Sequence, residues 1–201
     1  MIKIALLDVD GIIIKLRSKY FSQKLVEDFG LQLDADAIVK FFQNEFILCE
    51  TGKADLKEEL KKQIKIWQYP GTVEDLMKIW FEGEQELVPE VVNFIKKLRS
   101  NGIKCFLATN NEKYRTDYLL NVVGIKNFVD GYFSSAIIGF MKPQNEFWQE
   151  VYSQLGNPTK DTVIVWDNKK EIVDSAKEFG FTSELYVDLA HFEKTMNELV
   201  K

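Results

Sequence analysis

The stretch Ile2-Lys3-Ile4-Ala5-Leu6-Leu7-Asp8-Val9-Asp10-Gly11 decides the fold. Its first six residues form a nearly continuous apolar run, as expected of a strand buried on both faces of a parallel sheet. The run ends in two carboxylates spaced i, i+2, which extended backbone points to the same side. Open α/β sheets place their chemistry at the carboxyl ends of their strands. Asp8 and Asp10 can therefore face one pocket, and Gly11 lets the chain turn sharply beyond them. One acid could attack while the other trades protons, a division that needs two carboxylates in different environments. A loop carrying helix-capping acids is the plainer alternative.

Outward from this strand the chain changes texture. From about residue 18 to 83 it reads as helix after helix. Ser18 is placed to cap a helix carrying Phe21, Leu25 and Phe29, and Asp34 one carrying Ile38, Phe41, Phe42 and Phe46. Asp55 with Glu58 resembles a capping box ahead of Leu60, Ile64 and Trp67. Pro70-Gly71 marks a turn, after which Thr72 and Asp75 open a helix with Leu76, Ile79 and Trp80. This block is expected to be an inserted cap of residues 15–85, on a core of residues 1–14 and 86–201. The rings of Phe41, Phe42, Phe46, Trp67 and Trp80 lie at helical spacing and are expected to form the cap's own core rather than a substrate pocket.

From Pro89 strands and helices alternate. Pro89 suits a first helical position and Gly102 the stop. Strands are expected at Ile103–Ala108, Tyr132–Phe133, Thr162–Trp166 and Leu185–Val187, with helices near 112–122 and 144–155, from about 168 to Phe179, and at the C-terminus. That alternation predicts an α/β fold, a parallel sheet with helices on both faces.

Composition narrows the function. The 201 residues suffice for one core with a small insert, and 46% hydrophobic with 28% charged residues is ordinary for a globular chain. The net charge of −5 and the lack of a basic stripe argue against a nucleic-acid surface. Lys61-Lys62, Lys96-Lys97 and Lys169-Lys170 read as solvated helix faces. Cys49 and Cys105 form no CxxC and read as buried free thiols in a reducing compartment. With no signal peptide and no membrane-length apolar run, the expectation is a cytoplasmic protein with no membrane partner. His191 is the single histidine, which disfavours histidine triads and metal clusters.

Four polar sites fall at or just beyond strand ends: Asp8/Asp10, Thr109/Asn110, Lys142 and Asp167/Asn168. Singly, Thr109-Asn110-Asn111 and Asp167 could be helix caps and Lys142 a surface lysine. Together they supply the parts of a phosphoryl-transfer site. Asp8 would accept the phosphoryl group, and Asp10 would protonate the leaving oxygen and then activate water. The Thr109 hydroxyl and the Asn110 backbone N–H would hold phosphate oxygens near a helix start. Lys142 would balance charge beside Asp8. Asp8, the Asp10 carbonyl and Asp167 would offer hard oxygen ligands suited to Mg2+.

The order DVDG, ATNN, Lys142-Pro143, then an apolar strand ending in Asp167 resembles the haloacid dehalogenase-like superfamily across essentially the whole chain. The resemblance implies a Rossmann-like three-layer core with a helical cap inserted after strand one. It also implies the roles just given: catalytic Asp8, Asp10 and Lys142, phosphate-binding Thr109, metal-binding Asp8, Asp10 and Asp167. Members that displace halide from carbon lack the second aspartate, so Asp10 points to phosphate esters. Leu48-Cys49-Glu50-Thr51-Gly52-Lys53 further resembles small-capped members related to sugar-phosphate phosphatases. The chain departs from the pattern at Ile12, where threonine is usual, and at Trp166-Asp167-Asn168, where the bulky ring and the neutral amide are expected to weaken the metal site. Glu171 is either a supporting carboxylate or an ordinary exposed one. The expected activity is Mg2+-dependent hydrolysis of a small phosphorylated metabolite, with phosphotransfer to a sugar hydroxyl or a non-catalytic binding module as rivals. Arg17, Lys19 and Glu45 or Glu50 are the candidate cap contacts, a solvated charge being the plainer reading of each.

Overall fold

The computed structural model describes residues 1–17, 21–29 and 35–200. Five parallel strands, β1 (Ile4–Leu7), β2 (Lys104–Thr109), β3 (Gly131–Ser134), β4 (Val163–Asp167) and β5 (Thr182–Leu185), lie in the order β3-β2-β1-β4-β5. β1 is central and wholly buried, as its apolar run requires. Register does the positioning: Leu7 lies level with Leu107 on one side and Trp166 on the other. Asp8, Thr109 and Asp167 therefore leave the sheet at one edge.

Strand alternation sorts the core into two layers. Ala5, Leu7, Cys105, Leu107, Ile164 and Trp166 face helices α6 (Pro89–Ser100) and α11 (Leu189–Leu199). Ile4, Leu6, Ala108, Val163 and Val165 face α9 (Asn145–Gln154) and α10 (Lys170–Phe179). Each fully buried Leu, Ile or Val contributes roughly 1.5–3 kcal/mol. Trp166 belongs to the first layer, its ring 4.7 Å from that of Phe192 and its Nε1 donating to Met196 Sδ. Its ring thus packs into that layer, on the opposite face of the sheet from the layer of Leu6 and Val165.

Several boundaries differ from expectation. β5 begins three residues before Leu185, because its ladder is set by β4, from Ile164 opposite Thr182 to Asp167 opposite Leu185. Tyr186 only adds a last bond to the Asp167 carbonyl, at 2.9 Å. Pro143 precedes α9 rather than opening it, since Gln144 is the N-cap. The helix expected at 112–122 is α7 (Lys113–Asp117) followed by a π-helical turn over Tyr118–Val122. A one-turn helix, α8 (Ser135–Ile138), follows β3. Cys49 and Cys105 are free and buried, and burial pushes both thiols up to about 12. No described helix is long and apolar enough to cross a membrane.

Among the described residues five helices separate β1 from α6: α1 (Phe21–Phe29), α2 (Ala35–Gln43), α3 (Glu45–Glu50), α4 (Leu56–Ile66) and α5 (Val73–Gly83). The expected caps Ser18 and Asp34 lie outside the described residues. Thr72 and Asp75 form the reciprocal capping box, whereas Asp55 caps α4 alone while Glu58 pairs with Lys61. The chain leaves and re-enters the sheet domain through adjacent linkers, with Lys15 N–H donating to the Glu86 carbonyl and Val88 N–H to that of Ile13, both at 2.9 Å. Gly52 permits a close approach between α3 and α8: a Cβ there would sit 2.3 Å from the Ala136 carbonyl oxygen.

Asp55 also joins α4 to α7, accepting from Lys113 Nζ at 2.6 Å and Tyr114 Oη at 2.9 Å. The Lys113 hydrogen bond is the chief cause holding its carboxyl down at about 2. Its contribution to stability is therefore complete above the unfolded-state pKa of about 3.9 and is lost as pH falls toward 2. Asp55→Asn keeps a good N-cap but loses the charge. Its acid unfolding profile is expected to be shallower than the parent's between pH 4 and 2, as followed by circular dichroism. Superimposable profiles would remove this contact from the account.

Candidate active site

The turn after β1 builds the first part. The Val9 carbonyl accepts N–H bonds from Ile13 and Ile14 at 2.9 and 2.8 Å, and Gly11 N–H donates back to the Ile14 carbonyl at 2.7 Å. Gly11 has φ +92°, and a Cβ there would lie 2.0 Å from Asn168 Nδ2. Only glycine allows both the turn and that approach. Ile12 is buried in the core.

Lys142 lies at the centre. Its side chain is 2% exposed, and Nζ donates to Asp8 Oδ1 at 2.9 Å, Asp167 Oδ2 at 2.6 Å and the Ala108 carbonyl at 2.6 Å. All three ammonium protons are used. Burial alone would lower its pKa, but the two carboxylates outweigh it and hold the lysine charged. Burial is also the largest influence on Asp167 and pushes its carboxyl up, against the pull of Lys142. The backbone of Lys142 is clamped by Asn110, whose Nδ2 donates to the Lys142 carbonyl and whose Oδ1 accepts from Lys142 N–H, both at 2.9 Å. Lys142 is no surface lysine.

Asp10 keeps 37% of its side chain exposed to the crevice. Crowding by the surrounding protein nevertheless desolvates the carboxyl and raises its pKa, with Asp8 adding to the rise and Arg115 and Asn111 opposing it. An acid that holds its proton longer than usual is suited to proton donation.

Two residues at this edge were given no role of their own by the sequence. Asn111 Nδ2 donates to Thr109 Oγ1 at 2.7 Å and to Asp10 Oδ2 at 3.2 Å. Arg115, 4% exposed, reaches Asp10 Oδ1 at 3.4 Å and also donates to the carbonyls of Phe81 and Glu84 at the end of α5. Only the fold shows that its helix face is buried, where it ties the cap's last helix to the second aspartate. The alternative reading of Thr109-Asn110-Asn111 as the cap of the next helix does not hold, since Glu112 is the N-cap of α7 and accepts from Tyr114 and Arg115 N–H.

Asn168 Nδ2 donates to the Asp10 carbonyl at 3.0 Å, while its buried Oδ1 has no partner. Both Asp167 oxygens accept within the protein, from Lys142 and from Lys169 N–H. Among the described residues no group of three acidic, histidine or cysteine side chains forms a metal cluster. The oxygens near Asp10 are of mixed kind: the Asp8 carboxylate, the Asp10 carbonyl and the orphaned Asn168 Oδ1. These are hard donors of the type that suits Mg2+, and a cation would satisfy the orphaned oxygen. Glu171 is exposed, so the ordinary reading holds. Arg17 is exposed, Glu45 and Glu50 are half-buried, and Lys19 lies outside the described residues.

The fold and this edge define an α/β enzyme of the doubly wound type, with a charge-balanced pair of carboxylates under a helical cap. A family model described as haloacid dehalogenase-like hydrolase matches residues 2–180. The chain belongs to that family. It is 24% identical to a sesquiterpene phosphatase of Aspergillus oryzae over 183 residues, 89% of this chain and 86% of the relative. It is similar to a solved HAD family enzyme of Bacteroides thetaiotaomicron in complex with magnesium and inorganic phosphate, with a TM-score of 0.81 at 17% identity, covering 96% of this chain and 99% of that one. A HAD-like hydrolase of Porphyromonas gingivalis gives a TM-score of 0.81 at 19% identity, covering 100% of this chain and 98% of that one.

Proposed function

We propose that this chain is a Mg2+-dependent phosphatase that hydrolyses a small phosphate monoester through an aspartyl phosphate on Asp8. The observation that carries the reading is the Lys142 ammonium held between Asp8 and Asp167, at 2.9 and 2.6 Å. It lets an anionic nucleophile meet an anionic ester. The relative named a phosphatase and the neighbour complexed with magnesium and phosphate support it.

In this reading an Asp8 carboxylate oxygen attacks phosphorus, and the ester P–O bond breaks. Asp10 gives its proton to the departing alkoxide. Asp10, now a carboxylate, takes a proton from water, whose oxygen attacks the aspartyl phosphate and releases inorganic phosphate and free Asp8. Thr109 Oγ1, fixed by Asn111, and the Asn110 backbone N–H would hold phosphate oxygens. Asp8, the Asp10 carbonyl and Asn168 Oδ1, with Asp167 behind them, would hold Mg2+. When bound, the ion would supply positive charge against the phosphate oxygens. Residues 15–85 would close over this edge as the cap, set on a core of residues 1–14 and 86–201. The non-catalytic alternative rested partly on Trp166 crowding the metal, and that ring points into the opposite layer.

The test is release of phosphate from p-nitrophenyl phosphate with and without Mg2+. Turnover only with the metal is expected, and none with any divalent ion would end the proposal. Asn168→Asp adds a charged ligand where the neutral amide stands. It is expected to tighten Mg2+ binding about tenfold by calorimetry. Unchanged affinity would take Asn168 out of the ligand set.

A further inference from the structure

A cavity of about 540 Å3 opens between α1, α2, α3 and α5 and ends at Lys169, beside the catalytic edge. Its walls are the rings of Phe21, Phe42, Phe46 and Trp80. They pack on one another around Trp80, with centroids 5.0 Å away for Phe21 and 5.3 Å for both Phe42 and Phe46. Sequence spacing assigned Phe42, Phe46 and Trp80 to the cap core. All five aromatics do pack there: Trp80 is buried with Phe41 and Trp67, whose rings meet edge to face at 5.4 Å, and Phe42 and Phe46 pack against them, while Phe42, Phe46 and Trp80 also line the cavity.

Four polar side chains also line the cavity, Gln43 of α2 and three that connect to the site edge, Glu50, Glu84 and Lys169. Lys169 follows Asp167 and Asn168 in the chain, and its N–H is bound to Asp167 Oδ1. Glu84 accepts from Trp80 Nε1 at 3.0 Å, and its carbonyl is held by Arg115, the residue that touches Asp10. Glu50 completes the mouth, and burial, its largest influence, pushes it up to about 7. The size is that of a pocket for a drug-sized molecule. A sugar would need hydrogen-bond partners along its length to offset desolvation. The four rings offer none, while an apolar chain would gain from every buried carbon.

The geometry points to a phosphate monoester of an apolar alcohol as the substrate class, its phosphate at Asp8 and its hydrocarbon chain in the aromatic cavity. This rests on the phosphatase reading, and the experiment separates the two. kcat/KM is measured for n-alkyl monophosphates from ethyl to decyl, with p-nitrophenyl phosphate and glucose 6-phosphate as comparators. A rise of about three- to four-fold per methylene is expected until the cavity is filled. Decyl phosphate should exceed glucose 6-phosphate by about 100-fold or more, on the same per-carbon scale. Phe46→Ala should lower the decyl-to-ethyl ratio about tenfold. Val39→Trp, at an exposed rim position that tolerates change, should move the optimum to shorter chains. A flat series, or preference for glucose 6-phosphate, with p-nitrophenyl phosphate still turned over, would overturn this inference and leave the phosphatase standing. No turnover of any ester would overturn the phosphatase. Binding of decylphosphonate against ethylphosphonate, read by calorimetry, then decides the cavity alone: tighter decyl binding supports its apolar preference, and equal affinities overturn it.

Discussion

Asp8→Asn is expected to yield a folded protein whose release of phosphate from p-nitrophenyl phosphate falls by roughly 10^4-fold, to background. The change is nearly isosteric. Asp8 carries its side chain in a site that is 11% exposed, and its Oδ1 accepts one bond, from Lys142 at 2.9 Å. An amide oxygen can accept that bond, and Lys142 keeps Asp167 as a counter-charge at 2.6 Å. The thermal midpoint should therefore move by only a few degrees. What the variant loses is an anionic oxygen able to form a bond to phosphorus. The combination of unchanged fold and abolished turnover separates a nucleophile from a structural carboxylate. Residual activity of a tenth of the parent's would mean that water attacks directly, and the covalent route would fall.

The convergence of Asp8, Thr109 and Asp167 was legible because it needs only parallel strands ending level. That follows from apolar runs of similar length, and the register places Leu7 opposite both Leu107 and Trp166. The same logic could not see what helices bring to the edge. Arg115 lies six residues past Thr109, and nothing in its charged surroundings distinguishes a buried guanidinium from a solvated one. Its 4% exposure comes from α5 of the cap folding over it. Asn110 was expected to act through its backbone, but its side chain clamps the loop that carries Lys142. That pairing spans 32 residues and depends on a turn that sequence does not fix. Period alone likewise assigned the cap's aromatics to a helix face. They do form the cap's core, but period could not show that Phe42, Phe46 and Trp80 also border a cavity. β5 was misplaced for a related reason: an edge strand takes its register from its partner, not from its own apolar residues.

Lys142→Met should be the most damaging single change to stability and should also cost most of the activity. Methionine matches the length and apolar stem of lysine, so packing is largely kept. The charge is not. Asp167, with a fully buried side chain, and Asp8 would be left without the cation that separates them, and the Ala108 carbonyl would lose its donor. Breaking a buried pair from one side costs about 3–5 kcal/mol, because the stranded charge stays buried. In a chain of this size that lowers the thermal midpoint by roughly 10 °C or more. The deficit should depend on pH in a defined direction. Burial already pushes the Asp167 carboxyl up, and without Lys142 only the Lys169 N–H bond opposes that push. A carboxyl that binds its proton more tightly folded than unfolded favours the folded state at low pH and loses that advantage as pH rises. The variant should thus lie closer to the parent at pH 5 than at pH 8. Adding Asp167→Asn should restore part of the stability without restoring turnover, since Asp8 would still face the phosphate with no cation beside it. A deficit that is constant with pH, or a double variant no more stable than the single one, would show that Lys142 acts through packing rather than through its charge.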